Sequence, residues 1–369
     1  MKEQLANKKT MNTGMRLIGI GLALVIGAVS AAFILPALAH NNVASAETVL
    51  KGVSGTVWVT NRTFNNVVAF DAGTGEVLAT IAVGRNPIGI ISPQGTDKVY
   101  VSNEDDATVS VISKASLEVV GTLPLPAGSR PHHMNASPDG RFVYVAEFGT
   151  NRVAKIDTET DEVTHLTTSL LAAARTHAVW ISQNTKTLYV ANSSTTVAAA
   201  NEIAAVDIAS EELLWSLPVG TTPSEIIVTR NEKTAYVSIR GENKVKVIDL
   251  ETRQIVDEIN VGTMPDTLAL TSNEKQLVVT LRGTPAQISL VNVFKETYSV
   301  QIVNLAGALA GHHWLSQNGQ YSFVAVENPG SLAIVDNRTG QVVTTYVYPG
   351  ATPNNRPHGV FYEPEPLKN

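Results

Sequence analysis

The 369-residue sequence contains no cysteine, which excludes a disulfide framework, a thiolate metal site and a cysteine nucleophile. Charged residues are scarce at 16%, and aromatic residues make up only 6%. Hydrophobic residues reach 44%, which is too many for a disordered chain and enough for a large soluble core. The formal net charge of −6 offers no general attraction for phosphates, so nucleic acid is not expected as a partner.

The N-terminus has the composition of an export signal. Four of the first 16 residues are basic, and an uncharged apolar stretch follows from residue 17 to 35. Ala37-Leu38-Ala39 then provides a small-x-small cleavage motif. Because the apolar stretch is also long enough to cross a bilayer once, residues 1–39 are expected to be either a signal peptide or a single membrane anchor. Both predict a periplasmic, extracellular or membrane-anchored protein, with the remainder of the chain outside the cytoplasm.

A short strand-like motif recurs along the chain. Its copies begin at Val57, Val99, Val143, Leu188, Ala235, Leu277 and Ser322. Successive copies start 42 to 47 residues apart, which gives seven units. Within each unit a polar turn, a β-branched strand, a tight turn and further strands follow in the same order, and in six of the seven units the β-branched strand ends at Asp or Asn. Four short strands in a unit of this length are typical of a β-propeller blade.

The first unit has no innermost strand of its own, whereas the chain ends with an unmatched strand, His358–Tyr362. Pairing this strand with the first blade would remove two exposed sheet edges. The repeats resemble those of the YVTN β-propeller family. The resemblance implies an all-β, seven-bladed β-propeller of four-stranded blades, closed by the C-terminal strand. The expected boundaries are a signal or anchor at 1–39, a linker at 40–52, the propeller at 53–364 and a tail at 365–369.

Histidine is concentrated in the loops that lead into the innermost strands. Aligning these loops places in one column Ile88, His132, His177, Ser224, Asp266, His312 and His358. The chain has only eight histidines, so four in one column far exceeds chance. In a propeller these loops surround one mouth of the central channel, where neutral imidazoles can hold a transition metal. The expected ligands of copper, iron or zinc are His132, His177, His312 and His358.

Neighbouring residues extend this prediction. His133 is an additional candidate ligand, His313 could take the place of His312 because its loop is one residue short, and Asp266 could also coordinate. Metal-bound histidines usually donate their other N–H to a carboxylate. The glutamates placed to accept it are Glu104, Glu147 and Glu327, which follow the second strands on the same face. In the alternative interpretation, the histidines cap strands or bind loop carbonyls without an ion.

The histidine column is similar in geometry to metal centres of other propellers. These are the four-histidine iron centre of carotenoid-cleaving oxygenases and the copper sites of nitrous oxide reductase and methanethiol oxidase. The longer motifs of those families are absent from this sequence. The resemblance therefore implies a metal site and a redox role, without naming the metal.

Arginines cluster at the same mouth of the channel. They are Arg85, Arg130, Arg175, Arg240, Arg282 and Arg356. Guanidinium groups can bind a carboxylate or phosphate bidentately, or they can form salt bridges with the neighbouring glutamates. Arginines and histidines together would also suit a tetrapyrrole, as in the haem-binding propeller of dihaem nitrite reductases. No Cys-x-x-Cys-His motif exists, so covalent c-type haem is excluded.

The sequence is compatible with three functions. The first is a metal-binding propeller, with oxidoreductase activity on a small molecule that enters from the arginine-lined mouth. The second is a non-catalytic binding or scaffold propeller that docks a small-molecule or protein ligand on that face. The third is a haem or tetrapyrrole-binding propeller. Since propellers host enzymes and binding modules alike, the fold does not decide between them.

Overall fold

The computed structural model describes residues 50, 52–166, 175–194, 201–294 and 297–365. These residues form 28 β-strands in seven four-stranded antiparallel sheets, each of which is one blade. This confirms the predicted seven-bladed propeller of the YVTN type. A short 3-10 helix, Arg240–Glu242, follows one of the second strands.

The strands of each blade are given from the channel outward. Blade 1 contains β28 (Pro357–Pro364), β1 (Gly55–Asn61), β2 (Asn66–Asp71) and β3 (Val77–Ala82). Blade 2 contains β4 (Pro87–Ile91), β5 (Lys98–Asn103), β6 (Thr108–Ser113) and β7 (Glu118–Pro124). Blade 3 contains β8 (Pro131–Ala136), β9 (Phe142–Glu147), β10 (Arg152–Asp157) and β11 (Val163–Leu166).

The remaining blades follow the same order. Blade 4 contains β12 (Arg175–Ile181), β13 (Thr187–Ser193), β14 (Glu202–Asp207) and β15 (Leu213–Pro218). Blade 5 contains β16 (Pro223–Val228), β17 (Thr234–Ile239), β18 (Lys244–Asp249) and β19 (Gln254–Asn260). Blade 6 contains β20 (Pro265–Leu270), β21 (Gln276–Leu281), β22 (Gln287–Asn292) and β23 (Ser299–Asn304). Blade 7 contains β24 (Leu309–Leu315), β25 (Tyr321–Glu327), β26 (Ser331–Asp336) and β27 (Gln341–Val347).

Burial differs between the strands of a blade. The second strands are buried on both faces, as in β5, where every residue after Lys98 is buried. The outermost strands alternate between partly buried and exposed residues, as in β15. The difference arises because inner strands pack between two neighbouring blades, whereas outer strands turn one face to solvent. The runs of β-branched residues in the sequence therefore form the core between blades.

The ring closes as predicted, because β28 pairs antiparallel with β1. Trp58 lies opposite Phe361, and Val57 lies opposite Tyr362. Trp58 and Phe361 share a hydrophobic cluster with Tyr100 of blade 2, so closure also fills the core between the first blades. The closed ring leaves β1 without an unpaired edge on the channel side.

The predicted export signal or anchor lies outside the described residues. Within the part of the chain that the structure describes, no helix combines the length and apolar character needed to cross a membrane. Export and anchoring therefore stay predictions from the sequence.

Candidate functional site

Every innermost strand carries a β-bulge near its start. The pairing register shifts between Pro131 and Met134 in blade 3, for example, and at the corresponding point of each other blade. The residues within these shifts include Ile88, His132, His177, Ser224, Asp266, His312 and His358. A bulge bends the strand and re-aims its side chains. The predicted column is thus a ring of bulge residues.

Hydroxyl groups on the second strands link three of these bulges to the next blade through hydrogen bonds. Ser102 Oγ accepts the N–H of Gly89 at 2.8 Å and donates to the carbonyl oxygen of His132 at 2.7 Å. Equivalent bridges are made by Ser238 between Glu225 and Asp266, and by Thr60 between Gly359 and Ile88. The bridge through Ser102 fixes the backbone from which the His132 ring extends.

Five histidines form a continuous group of rings. His132 stacks on His133 with ring centres 4.9 Å apart and planes 5° apart. His177 lies 4.5 Å from His132 and 4.9 Å from His133. His312 lies 4.4 Å from His133 and 4.3 Å from His358. His133 therefore connects the histidines of blades 3 and 4 with those of blades 7 and 1.

The histidines whose ring nitrogens lie closest together are not the four expected ligands. Nitrogens of His132, His133 and His177 all lie within 4.8 Å of one another. Among the described residues, this is the one group of three or more histidine or acidic side chains with such spacing. His312 and His358 fall outside it, whereas His133 falls within it because the blade 3 bulge contains two consecutive histidines. We call His132, His133 and His177 the histidine triplet.

The triplet presents ring nitrogens without partners. His132 Nδ1 and His133 Nε2 are buried and form no hydrogen bond. His177 Nδ1 donates to the carbonyl oxygen of Ser224 at 2.7 Å, so its Nε2 carries the lone pair. Burial, reinforced by neighbouring imidazoles, holds the pKa of His132 and of His177 well below the ordinary value. These rings are therefore uncharged at neutral pH, the form that binds metals.

His312 and His313 occupy different environments. Ala310 and His313 flank the bulge of blade 7, so His312 lies within it. The Nε2 of His312 is buried without a partner. His313 Nδ1 instead lies 3.0 Å from Thr267 Oγ1. The geometry thus places His312, rather than His313, beside the other column histidines.

Glu327 contacts a column histidine, as a supporting carboxylate would. Its fully buried side chain accepts hydrogen bonds from Arg282 and Arg356, both at 3.0 Å. His358 Nδ1 lies 3.2 Å from Glu327 Oε1 and 3.3 Å from the Arg282 guanidinium. Burial alone would raise the pKa of Glu327, but His358, Arg282 and Arg356 hold it well below its ordinary range.

The other predicted carboxylates have different partners. Glu104 accepts from Asn86 at 2.9 Å and also binds Arg130. Glu147 accepts from Thr150 at 2.6 Å and lies 3.0 Å from the Nε2 of His165, which is not a column residue. Neither has a contact with a column histidine among those the structure describes.

Asp266, the remaining candidate ligand, is paired with arginine. Its carboxylate accepts from Arg240 and from the Ser224 hydroxyl. Arg282 Nε lies 3.8 Å away. Burial alone would raise the pKa of Asp266, but Arg240 and Arg282 hold it well below the ordinary value. Asp266 therefore acts as a counter-ion on this face of the ring.

Most of the predicted arginines are engaged in ion pairs. Arg85 pairs with Asp106, Arg130 with Glu104, Arg240 with Asp266, and Arg282 and Arg356 with Glu327. Arg175 lies over the ring of Phe148, 5.0 Å from its centre. These contacts correspond to the salt-bridge interpretation and leave few guanidinium groups for an incoming anion.

Arg62 also belongs to this network, although the sequence pattern did not identify it. Its Nε donates to Asn86 Oδ1 at 2.6 Å, and its guanidinium lies 3.6 Å from Glu104. Arg62 follows β1 at the position where Arg240 and Arg282 follow their own second strands. Aligning the ends of these strands would have identified it.

A cavity of about 330 Å³ extends to the histidines from the face opposite the arginines. Residues of all seven innermost strands line it. His133 and His312 lie at the end of the cavity where the innermost strands begin. Exposed Gln183 and Arg230 lie at its other end, in turns that follow innermost strands. The cavity is therefore the central channel, and it extends towards the face that carries those turns. We call this the turn face, and the opposite one the arginine face.

Sequence reasoning did not identify the channel lining. Glu225 lies beside the column residue Ser224 and contributes to the channel wall. Trp180 and Trp314 also line the channel. Because both tryptophans lie on innermost strands, strand order alone could have suggested this position.

Comparison with solved structures shows similarity of fold. Hydrazine synthase of Kuenenia stuttgartiensis is 20% identical, with 80% of this chain and 92% of that chain covered and a TM-score of 0.64. A functionally unknown protein of Desulfotomaculum acetoxidans is 15% identical, with 83% and 99% covered and a TM-score of 0.67. The dihydro-heme d1 dehydrogenase NirN is 16% identical, with 83% and 75% covered and a TM-score of 0.58.

No curated protein matches the sequence. The sequence profile of one family, however, matches residues 85–355, which is most of the propeller. The matched region begins before β4 and ends before β28, so it includes six blades and all the histidines of the triplet. Together with the seven-bladed ring, this match assigns the chain to the YNCE-like beta-propeller family.

Proposed function

We propose that this protein is an exported metal-binding β-propeller in which His132, His133 and His177 hold one transition metal ion. The proposal rests on the convergence of three imidazoles within 4.8 Å of one another, two of which, His132 and His133, have a buried nitrogen with no partner in the protein. Burying such nitrogens without partners is unfavourable, and a metal ion would satisfy them together.

The donor set defines the class of metal. Imidazole suits copper, zinc, iron and nickel, and no thiolate is available because the chain contains no cysteine. Three histidines with a further open position form a donor set used by catalytic metal sites. The Ser224 carbonyl, by accepting the N–H of His177, would hold that ring in the tautomer needed for coordination.

Metal titration of the exported domain, purified without a histidine tag, tests this proposal. We expect Cu²⁺ or Zn²⁺ to bind the chelator-treated protein calorimetrically with a stoichiometry of about one. The His132→Asn/His177→Asn double variant should lose this binding, whereas His165→Asn, outside the triplet, should retain it. Equal binding by all three proteins would place the metal elsewhere.

A metal-free result for Cu²⁺, Zn²⁺ and Fe²⁺ would favour the second function, a binding or scaffold propeller. The arginine face would then be the docking surface, and partner binding should be lost when its exposed residues are changed. Arg85 and Arg130 are suitable positions, because their side chains are 67% and 48% exposed. The tetrapyrrole alternative is less well supported, since most arginines that would bind propionates already pair with carboxylates.

Export is supported by the basic and apolar N-terminal sequence alone. We expect the full-length chain to accumulate outside the cytoplasm. N-terminal sequencing of that material distinguishes the two forms, because cleavage after Ala39 would leave His40 first, whereas an anchored protein would keep its N-terminus. Accumulation in the cytoplasm would contradict export.

A further inference from the structure

The inner end of the channel contains further unpartnered nitrogens, on His312 and His313, beside His133 of the triplet. His133, His312 and His313 all line the cavity, and the Nε2 atom of each is buried without a hydrogen bond. The three come from blades 3 and 7, so no single loop accounts for them. Buried polar atoms are rarely left unsatisfied in folded proteins. A ligand with a polar group at this end of the channel would satisfy at least one of them.

The charge around this end disfavours an anion. Glu225 lines the same cavity, and its Oε2 accepts the N–H of Leu268 at 2.7 Å. Its Oε1 lies 3.7 Å from His133 Nδ1, which favours the tautomer with hydrogen on Nδ1. The Nε2 of His133 then presents a lone pair to the cavity. In the metal-free protein the inner end therefore offers at least one acceptor, at His133, which requires a hydrogen-bond donor on the ligand.

The channel walls between its two ends favour a ligand with a flat apolar ring. Ile90, Met134, Ile227 and Leu268 line the channel, and Trp180 and Trp314 add aromatic surface. Trp314 is 36% exposed and its ring centre lies 4.8 Å from that of Phe361, so one indole is held near the solvent end. Aromatic ligands gain from burial against such rings, and the cavity has the size of a small-molecule site.

We infer that the central channel of the metal-free protein binds a small uncharged phenol, which enters from the turn face and donates its hydroxyl hydrogen to His133 Nε2 at the inner end. The apolar walls take the ring, and Glu225 excludes phenol analogues that carry a carboxylate. A cationic analogue would approach Glu225, but it would have to bury its ammonium group, which is costly, beside a carboxylate that already accepts the N–H of Leu268. This site lies on the opposite side of the histidines from the arginine-lined mouth that the sequence suggested as an entrance.

Phenol binding can be tested on metal-free protein, so it does not depend on the proposed metal. Because Trp180 and Trp314 line the cavity, titration with phenol should change tryptophan fluorescence in a saturable way, with calorimetry as a second measure. Benzoate and benzylamine serve as anionic and cationic probes of similar size. Phenol should bind at least about tenfold more tightly than either, as expected for a buried site selective by charge.

Two variants address the position of the site. Ala269→Phe adds a ring to the channel wall and Trp314→Ala removes one, and each should weaken phenol binding about tenfold. Val256→Phe, at an exposed position of β19, is the control for added bulk and should bind normally. Circular dichroism establishes that each variant is folded.

The outcomes separate the two proposals. Tighter binding of benzoate or benzylamine, or phenol binding unaffected by both channel variants, would overturn the phenol site. Phenol binding to a protein that takes up no metal would contradict only the metal centre. Metal binding without phenol binding would contradict only the channel ligand.

Discussion

At the scale of single residues, Glu327 is a fully buried carboxylate that the fold supplies with three partners. Arg282, Arg356 and His358 surround it, and Arg282 itself is only 14% exposed on its side chain. Desolvating two charges is costly, but removing only one of them leaves the other buried without a counter-ion. The carboxylate is therefore expected to matter more for stability than a surface ion pair does.

Glu327→Gln should lower the free energy of unfolding by about 3 kcal/mol, because Arg282 would lose its nearer buried counter-ion and keep only the more distant Asp266. Urea denaturation of the purified domain measures this change. Glu159→Gln is a matched control, since Glu159 pairs with Arg141 but is 73% exposed. The control should change stability by less than about 1 kcal/mol. Equal effects of the two substitutions would contradict the buried network.

His313 gives the protein an acid-sensitive component of stability. Burial lowers its pKa in the folded protein to about 3, from an ordinary 6.5. Above pH 6.5 the ring is neutral in both states, whereas below it the unfolded chain takes up a proton that the folded chain does not. The free energy of unfolding should therefore fall by about 1.4 kcal/mol per pH unit for this group as pH decreases from about 6 to about 4.

His313→Gln should remove this contribution. Urea denaturation at several pH values measures the slope of stability against pH for the wild type and the variant. The slope should be smaller in the variant by about 1.4 kcal/mol per pH unit. Identical slopes would mean that His313 takes up its proton equally readily in both states.

At this scale the sequence predicted which residue types lie at the candidate site better than which of those residues lie closest together. The alignment of loops identified His132 and His177, but it ranked His312 and His358 above His133. The alignment selected one residue from each loop. In a β-bulge, however, two consecutive residues leave the regular alternation of the strand, so both side chains can join the same group. Contacts across the channel, such as that of His133 with His312, depend on ring geometry that no local pattern encodes.

At the scale of strands, the bulges depend on close backbone approach between blades. A Cβ added to Gly359 in the bulge of β28 would lie 2.1 Å from the carbonyl oxygen of Ile88. The Gly359 N–H also donates to Thr60 Oγ1 at 2.7 Å, which in turn donates to Ile88. The glycine is needed because the first two blades meet at this point through their backbones.

Gly359→Ala should destabilise the protein by about 1–3 kcal/mol through this overlap. Gly121→Ala is the control, because its added Cβ would make only an ordinary contact, 3.6 Å from Val111 Cβ. Thermal unfolding of both variants gives the comparison, and the control should shift stability by less than about 1 kcal/mol. A Gly359 variant as stable as the control would contradict the close approach of β28 to blade 2.

At the scale of the whole molecule, the fold was predictable because every repeat has the same order of strands and turns. Seven copies of one motif, with one strand missing at the start and one extra at the end, determine both blade number and closure. The function of the channel is less predictable. Its lining is assembled from seven strands distant in sequence, so residues such as Trp180 and Glu225 come together only in the closed ring.

Closure by β28 should be essential for folding. Deleting residues 357–369 removes the innermost strand of blade 1, exposes the edge of β1 and opens the core around Trp58. We expect this protein to be insoluble or to lose its cooperative thermal transition. Deleting only residues 366–369 leaves every described strand intact and should have little effect. Cooperative unfolding of the larger deletion at the wild-type Tm would contradict this role.

The metal centre at the histidine triplet is tested best by elemental analysis of the untagged, exported domain beside its His132→Asn/His177→Asn variant. We expect about one copper, iron or zinc ion per wild-type chain and none above background in the folded variant. A wild-type protein without metal after reconstitution, or a variant that retains the full metal content, would contradict the histidine triplet as a metal centre.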